Sequence, residues 1–464
     1  MGVTAEDLFQ LKSAEIVNPG NLEKTAFGGV SIDSRKCSKS DLFFAIKGEK
    51  FDGHDFVPDV LKRGCKCAVV QKSWYSKNKK KLAASKNKSL VVVKDTVKAI
   101  GKLANIYRSH FVIPVIAVAG SNGKTSTKDF VAHVLSKKYR VLKTEGNLNN
   151  QLGVPLTIFR LSKKHDMAVV EVGTNHFGEV KYLCEILEPQ FGVITNIGKE
   201  HLEFLKSISG AAKAEGELVD YLETVFGTFF LNADDKYLVK YRNSKNIKCV
   251  SFGFGKNAEV KGKILRFNKF YPELQIKYGN KKIKTQLKNI GYQSCRAALI
   301  AAAAGFYFEV PVRDITKAVS GYKIESNRRN QLKSVNGVWV IDDSYNSNPD
   351  SVKAALENLK AYKLKGKQFI CLGDMLELGS ESRKEHKNIG TLVKKMKFEN
   401  LLTYGKNSYQ TFLGAKGVKN NFHFEDKNVM AEFLQMNLKK GDVVLVKGSR
   451  SMKMEEVIDK ISVN

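Results

Sequence analysis

The sequence predicts an α/β protein of three domains, and three observations lead there. The chain has 464 residues, too many for one ordinary domain and enough for about two to four. A short apolar, β-branched run, Val112 to Val118, leads into a glycine loop and a helix-like stretch from Thr125. That is the strand–loop–helix order of a nucleotide-binding α/β domain. In the last third, apolar runs alternate with helical segments, as in a second parallel sheet of Rossmann-like layout. The expected domains are a small α/β unit over residues 1–110, a central phosphate-loop domain on a parallel sheet over 111–322, and a Rossmann-like domain over 323–464.

In the first region, short apolar stretches at Leu42 to Ile46 and Cys67 to Val70 alternate with glycine turns, and a helix is expected over about Val97 to His110. In the centre, Met167 to Val172 and Phe191 to Asn196 are near-continuous apolar runs, the mark of parallel strands covered on both faces. From Phe252 to Lys284 the pattern alternates, most clearly at Tyr271 to Tyr278, so antiparallel strands are expected there. Arg296 to Phe308, rich in alanine, reads as a helix against this sheet. The third region has apolar runs at Trp339 to Ile341, Phe369 to Leu372, Leu401 to Tyr404 and Val443 to Val446. Helices are expected between them at Asp350 to Tyr362 and Asn428 to Asn437, and no GxGxxG follows any of these strands.

Composition excludes several classes. The net charge is +30, but most of the 77 basic residues are Lys spread over the whole length. A nucleic-acid binder usually clusters its charge and uses Arg for bidentate contacts, so no nucleic-acid partner is expected. The dense run from Lys77 to Lys88 reads as a solvated face. Seven Cys, with Cys65 and Cys67 as a lone CxC, fit neither a disulfide framework nor a zinc site. No run reaches the ~18 apolar residues of a membrane span. The start shows no secretory pattern, and a cytoplasmic enzyme in a reducing compartment is expected.

The strongest chemical signal is Gly120-Ser121-Asn122-Gly123-Lys124-Thr125-Ser126. Glycines let backbone N–H groups face a phosphate chain, and the following helix presents its positive end to the same anion. Lys124 suits the β- and γ-phosphate oxygens, and Thr125 suits Mg²⁺. The loop is a compact variant of GxxxxGK[ST], since Val118 stands where the first glycine would fall. Glu171 closes a strand-like run, so it should lie at the carboxyl edge of the sheet, where a carboxylate can hold Mg²⁺. A surface ion pair with Lys is its plain alternative. His201 follows the next strand and would emerge at the same edge, although a lone His is more often structural. Lys213, between alanines, could be nothing more than a helix former.

These pieces together resemble the Mur ligase family over nearly the full length. The first region contributes Ser31-Ile32-Asp33-Ser34-Arg35, the stretch from Leu42 through Lys47 and Gly48, and Phe51-Asp52-Gly53-His54. These resemble the family's uridine-diphosphate-binding module. The centre adds the phosphate loop, Gly146-Asn147-Leu148-Asn149-Asn150-Gln151, Glu171-Val172-Gly173 and the His201 segment. The third region adds Asp342-Asp343-Ser344-Tyr345-Asn346-Ser347-Asn348-Pro349, Leu372-Gly373-Asp374-Met375-Leu376-Glu377-Leu378-Gly379 and Val446-Lys447-Gly448-Ser449-Arg450. Two strings of the third region, DDSYN-x-NP and LGDMLELG, point to the branch that adds D-alanyl-D-alanine.

The resemblance implies an ATP-dependent ligase of peptidoglycan synthesis that acts through an acyl phosphate. Its partners would be UDP-N-acetylmuramoyl-tripeptide and D-Ala-D-Ala, and a monomer is expected. It implies ATP with two Mg²⁺ ions. One ion would lie on Thr125 and Glu171 and a second on His201, with Lys213 as a carbamoylated lysine contributing an anionic oxygen. Arg328 and Asp343 would reach the nucleotide from the third region. Ser31, Asp33, Ser34, Arg35, Lys47, Gly48, Gly53 and His54 would bind the uridine-diphosphate end. Asn147, Asn149, Asn150, Asn346 and Asn348 would lie near the peptide or dipeptide. Asn348 and Pro349 also form a good helix start on their own. The chain departs from the family at Ser294 and Ala297, where Asn is usual and one Asn is expected near the adenine. Arg329 directly follows Arg328 and competes for the same role.

Other readings leave more unexplained. A polyglutamate-type relative would not be expected to carry Asp33-Ser34-Arg35. A basic phosphate-loop ATPase acting on nucleic acid leaves the third-region loops without a purpose. An inert binding module does not require Lys124, Thr125, Glu171, His201 and Lys213 together. Closure of residues 323–464 around the substrates is a further expectation.

Overall fold

The computed structural model describes residues 2–82, 88–324, 330–362 and 364–462. It contains three sheets, each drawn from one third of the chain. The first has five strands. Val30–Ser31, Leu42–Phe44, Cys67–Gln71 and Ser89–Val93 run parallel, and Glu15–Val17 pairs antiparallel to the last of these at one edge.

The helix Thr96–Arg108 leaves this sheet and joins it to the centre. Asp95 caps it, accepting the backbone N–H groups of Val97 and Lys98. Leu103, Ala104 and Tyr107 lie in one continuous core that includes Leu42 and Val91 of the first sheet and Ala117 and Val170 of the second. Arg108, 4% exposed, donates to the carbonyls of Leu187 and Ile113, so its charge is spent on orphan backbone oxygens. The Lys-rich run begins on the helix Lys72–Leu82 and continues beyond the described residues.

The second sheet has nine strands. Val115–Ala119 lies between Met167–Glu171 and Phe191–Ile194, all parallel and buried along nearly their whole length, as their unbroken apolar runs require. The strand starts at Val115, not Val112. Pro114 cannot donate to the ladder, and Val112 projects fully into solvent. Val260–Asn268 pairs parallel to Lys248–Gly253, and beyond it the sheet turns antiparallel through Tyr271–Tyr278 and Lys281–Gln286. Leu274, Ile276 and Ile283 face the alanine-rich helix Gly291–Tyr307. That helix begins five residues before the expected Arg296. Asn358, from the third region, accepts the backbone N–H of Tyr292 at 2.8 Å and so satisfies a helix-start donor that no local residue caps. Its small side chains let the phosphate-loop helix Lys124–Leu135 pack close behind the site. A Cβ on Gly305 would come within 2.8 Å of Val134.

The third sheet has six strands in the order Gln331–Val335, Val338–Asp343, Val443–Lys447, Gln368–Gly373, Asn400–Tyr404 and Asn420–Phe424, and only the first is antiparallel to its neighbour. All four expected apolar runs lie in strands. The two polar edge strands, Gln331–Val335 and Asn420–Phe424, were not legible because half-exposed edges carry no apolar signature. Among the described residues no helix is long and apolar enough to cross a membrane.

The loop after Gln368–Gly373 is held by a buried histidine. His386, 1% exposed, accepts the Met375 N–H on Nε2 at 3.0 Å and donates from Nδ1 to the Ser382 carbonyl at 2.8 Å. This requires the neutral ring, and burial holds its pKa below the ordinary histidine value. The unfolded chain therefore takes up the proton first as pH falls. The stabilisation is complete above about pH 6.5 and is lost below it, by at most about 1.4 kcal/mol per pH unit. Urea midpoints at pH 7.5 and 5.5 should show a larger fall for the wild type than for a His386→Leu variant. Equal falls would show that this ring does not contribute.

Candidate active site

The phosphate loop is built by backbone constraint. Gly120 has φ +116°, and a Cβ there would lie 2.3 Å from Thr195 Oγ1, so only glycine fits. Gly123 follows with φ +80° and starts the helix. The loop is pinned from the neighbouring strand end. Thr195 Oγ1 donates to the Asn122 carbonyl at 2.7 Å, and Ser121 Oγ accepts the Gly198 N–H at 2.8 Å.

Lys124 curls over this loop, donating to the Gly120 carbonyl at 2.5 Å. Its Nζ lies 3.5 Å from Glu200 Oε2 and 3.9 Å from Glu215 Oε1. Burial alone would lower its pKa, but Glu200, Glu215 and Glu171 outweigh that and hold it above the ordinary lysine value. Lys124 is thus charged. Glu215 is wholly buried, and desolvation with the neighbouring Glu200 pushes its pKa up to about 8. One ammonium faces three carboxyl groups, and the excess of negative charge is relieved by a proton on Glu215 or by a further cation.

Glu171 is paired in register with Val118 at the carboxyl end of the loop strand, 2% exposed. Its Oε1 accepts from Asn149 Nδ2 at 2.8 Å. Glu171 Oε2, Glu200 Oε1 and Glu215 Oε1 are buried and have no hydrogen-bond partner. Hard oxygen donors of this kind fit Mg²⁺. Among the described residues no group of three or more His, Cys, Asp and Glu side chains is placed to hold a metal ion by itself.

These groups open on a cleft of about 610 Å³ between the second and third sheets, lined by Lys124, Thr125, Glu171 and His201 on one side and Asp343, Asn346 and Lys447 on the other. His201 holds a left-handed backbone, φ 45°, and its Nδ1 lies 2.6 Å from Glu377 Oε2 of the third domain. The contact with His201 keeps the Glu377 carboxyl below its ordinary pKa. Lys447, 3% exposed, bonds Asp343 Oδ2 at 2.7 Å and the Asn346 carbonyl at 2.8 Å. Lys199 crosses the same boundary, with its N–H on Asp350 Oδ2 at 2.6 Å and its Nζ on Glu385 at 2.7 Å. A second cleft of about 480 Å³ lies on the other flank of the loop, with Asn196, Asn232, Asp234 and Arg296 in its wall.

The predicted residues divide into groups. Ser121, Asn122, Gly123, Lys124, Thr125, Ser126, Asn147, Asn149, Asn150, Glu171, His201, Asp343, Asn346 and Asn348 all line the large cleft, and Gly120 opens the loop, its carbonyl accepting from Lys124. Within it, Asn150 is largely structural, because its Oδ1 accepts the N–H groups of Leu152 and Gly153. Asn348 has two duties. It caps the helix Pro349–Ala361 by accepting the Ser351 N–H at 2.8 Å, and its Nδ2 donates to Asn122 Oδ1 at 3.0 Å across the domain boundary. Asn348→Ala should cost about 1 kcal/mol from the lost cap alone. Urea unfolding measures this, and no change would show that water replaces the cap.

The first-domain residues lie elsewhere. Segments 33–35 and 47–53 follow the strands Val30–Ser31 and Leu42–Phe44 at the carboxyl edge of the small sheet, away from the lining of the large cleft. Asp33 accepts the Arg35 guanidinium, which holds its carboxyl at about 2. Ser31 Oγ donates to the Asp33 carbonyl, and the Ser34 carbonyl accepts from Arg63. Lys47 and Gly48 are exposed on the turn that Gly48 N–H closes onto the Phe51 carbonyl. Gly53 is required because a Cβ would sit 2.7 Å from the Ile46 backbone. The His54 side chain holds the local fold. It is 1% exposed, with Nδ1 on Asp52 at 2.6 Å and Nε2 accepting the Gln71 N–H at 2.9 Å. Both nitrogens are therefore occupied.

Lys213 is not brought into the cleft. It is exposed on the helix Ile208–Thr224, with Nζ 5.6 Å from the Phe177 ring centre. Arg328 and Arg329 lie outside the described residues. Ser294 Oγ donates to the Gly291 and Asn289 carbonyls, so it is spent on backbone, and Ala297 lines the second cleft. Sequence reasoning missed Glu200, Glu215, Glu377 and Lys447. Glu377 and Lys447 stood inside quoted strings without a role; Glu200 and Glu215 adjoin His201 and Lys213, but only burial distinguishes them.

A phosphate loop with buried carboxylates, faced by a second Rossmann-like sheet carrying its own Lys and Asp, defines a nucleotide-dependent enzyme that works between two domains. Comparison with known proteins is specific. The Mur ligase middle domain matches residues 118–305, the Mur ligase glutamate ligase domain residues 328–450, and the Mur ligase family catalytic domain residues 26–108. The UDP-N-acetylmuramoyl-tripeptide–D-alanyl-D-alanine ligase of Bacillus subtilis is 32% identical over 461 residues, covering 98% of this chain and 97% of its own. The ligase of the same name from Escherichia coli is 32% identical over 440 residues, covering 94% of each. The crystal structure of MurF from Acinetobacter baumannii superposes with a TM-score of 0.89 at 27% identity, covering 100% of this chain and 99% of that one. The chain belongs to the Mur ligase family.

Proposed function

We propose that this protein joins D-Ala-D-Ala to UDP-N-acetylmuramoyl-tripeptide at the expense of ATP, as the names of its relatives describe. The observation that carries the reading is the single cleft in which Lys124 and Glu171 of the central domain face Asp343, Asn346 and Lys447 of the third. The loop N–H groups and Lys124 bind the ATP phosphates, and the nucleoside extends toward the second cleft. Mg²⁺, when bound, neutralises phosphate oxygens; Thr125 and Glu171 would hold one ion and His201 a second.

The tripeptide carboxylate oxygen attacks the γ-phosphorus, the bond to the β-phosphate oxygen breaks, and ADP leaves. The dipeptide amine then attacks the acyl carbon, loses a proton, and inorganic phosphate leaves. Repulsion among three anionic groups is the main obstacle, so Lys124 and Lys447 act chiefly by charge and position. Asp343 and the Asn346 carbonyl aim the Lys447 ammonium. The first domain's sheet edge at 33–35 and 47–53 receives the uridine-diphosphate end. The enzyme acts as a monomer in the cytoplasm, and residues 323–464 close on the substrates.

A phosphate-release assay tests this. Release and product formation should require ATP, UDP-N-acetylmuramoyl-tripeptide and D-Ala-D-Ala together. Turnover with a different amine at comparable efficiency would replace D-Ala-D-Ala in the assignment.

A further inference from the structure

Lys213 and Glu215 sit two residues apart on the helix Ile208–Thr224 and occupy opposite environments. A carbamate on Lys213 would form by attack of its neutral amine on CO2, with loss of a proton, leaving N–COO⁻. The structure gives that side chain a seat suited to the opposite charge. Its Nζ stands over the face of Phe177, 5.6 Å from the ring centre, and an aromatic face attracts an ammonium and repels a carboxylate. Lys213 and Phe177 are both exposed, so neither a buried donor nor the phosphate loop shelters a carbamate there.

Glu215 is wholly buried against the loop. Its Oε2 accepts the Gly120 N–H at 2.8 Å, which fixes the carboxylate. Its Oε1 has no hydrogen-bond partner and lies 3.9 Å from Lys124 Nζ. Glu171 Oε2 and Glu200 Oε1, also buried, have none either, and both carboxylates act on the same ammonium. A buried polar atom without a partner needs an explanation, and a hard cation supplies one. We infer that Glu215 itself provides the anionic oxygen that the family resemblance would place on a carbamoylated Lys213, so that the metal–nucleotide site is complete without CO2. The inference rests on the ligase reading only in taking Mg²⁺ and a nucleotide as what the loop binds.

Two measurements on the full-length protein test it, neither of which uses the amide-forming reaction. In the first, protein equilibrated with ¹³C-bicarbonate is examined by ¹³C NMR. The wild type should show no carbamate resonance; a signal that disappears in Lys213→Ala overturns the inference. In the second, calorimetry follows binding of a non-hydrolysable ATP analogue with and without Mg²⁺. Glu215→Gln keeps an acceptor for the Gly120 N–H but removes the charge, and it should weaken Mg²⁺-dependent binding by at least about tenfold. Lys213→Ala should stay within about twofold of wild type, as expected for an exposed residue away from the site. Unchanged Mg²⁺-dependent binding in Glu215→Gln overturns the inference. If that variant does not fold, the carbamate spectrum of the wild type still decides. Failure of D-Ala-D-Ala to react would touch neither measurement, and so separates the two readings.

Discussion

Lys124→Met lowers kcat/KM for ATP-dependent phosphate release by about 10³-fold or more, equivalent to about 4 kcal/mol of lost transition-state stabilisation. The side chain is the ammonium folded over the loop, and it also faces Glu200, Glu215 and Glu171. Methionine keeps the length of the side chain but brings no charge to the phosphate oxygens. The same change removes the cation from buried carboxylates that cannot reach water. Breaking a buried pair from one side costs about 3–5 kcal/mol, reduced here to the extent that Glu215 takes up a proton instead. The variant should therefore unfold at lower urea as well as turn over slowly. Initial rates and urea melts on one preparation measure both effects. A kcat/KM within tenfold of wild type would remove Lys124 from the chemistry.

Glu171→Ala has the second largest effect, a fall of about 10²–10³-fold in kcat/KM. Two consequences combine. The Oε2 atom, buried and without a hydrogen-bond partner, is lost as an oxygen donor for Mg²⁺. The Asn149 amide loses the acceptor that orients it at 2.8 Å, so one wall of the cleft loosens. The rate should recover partly as Mg²⁺ is raised, because the ion then binds with fewer protein ligands. A loss of the same size at every Mg²⁺ concentration would assign Glu171 to positioning Asn149 alone.

Lys124, Glu171 and His201 were legible because each follows directly from a buried parallel strand, and such strands deliver their carboxyl ends to one edge. Local order was enough to place them on the same side. Glu200 and Glu215 were not legible. Neighbouring acids such as Glu203 and Glu217 have the same chemistry, and only packing leaves Glu200 and Glu215 at 4% and 0% exposure. The structural contacts of His54 were not legible for the same reason. A histidine in a glycine turn reads as a binding residue until both ring nitrogens are found bonded to Asp52 and Gln71. Where Lys213 emerges was not legible either, because a motif fixes the position of a residue but not the face of the helix on which it stands.

By itself, the sequence determined the three α/β sheets, the glycine loop, the helix capped by Asn348 and the family, because strand runs, turns and caps depend on residues close together in the chain. Only the tertiary structure decided which carboxylates surround Lys124, that Lys447 joins Asp343, and that Glu377 meets His201. Those are contacts between residues 76 to 176 positions apart in the cases of Glu200 with Lys124 and Glu377 with His201. Their energies depend on burial and on distance in space, and neither quantity is written in the order of residues along a chain.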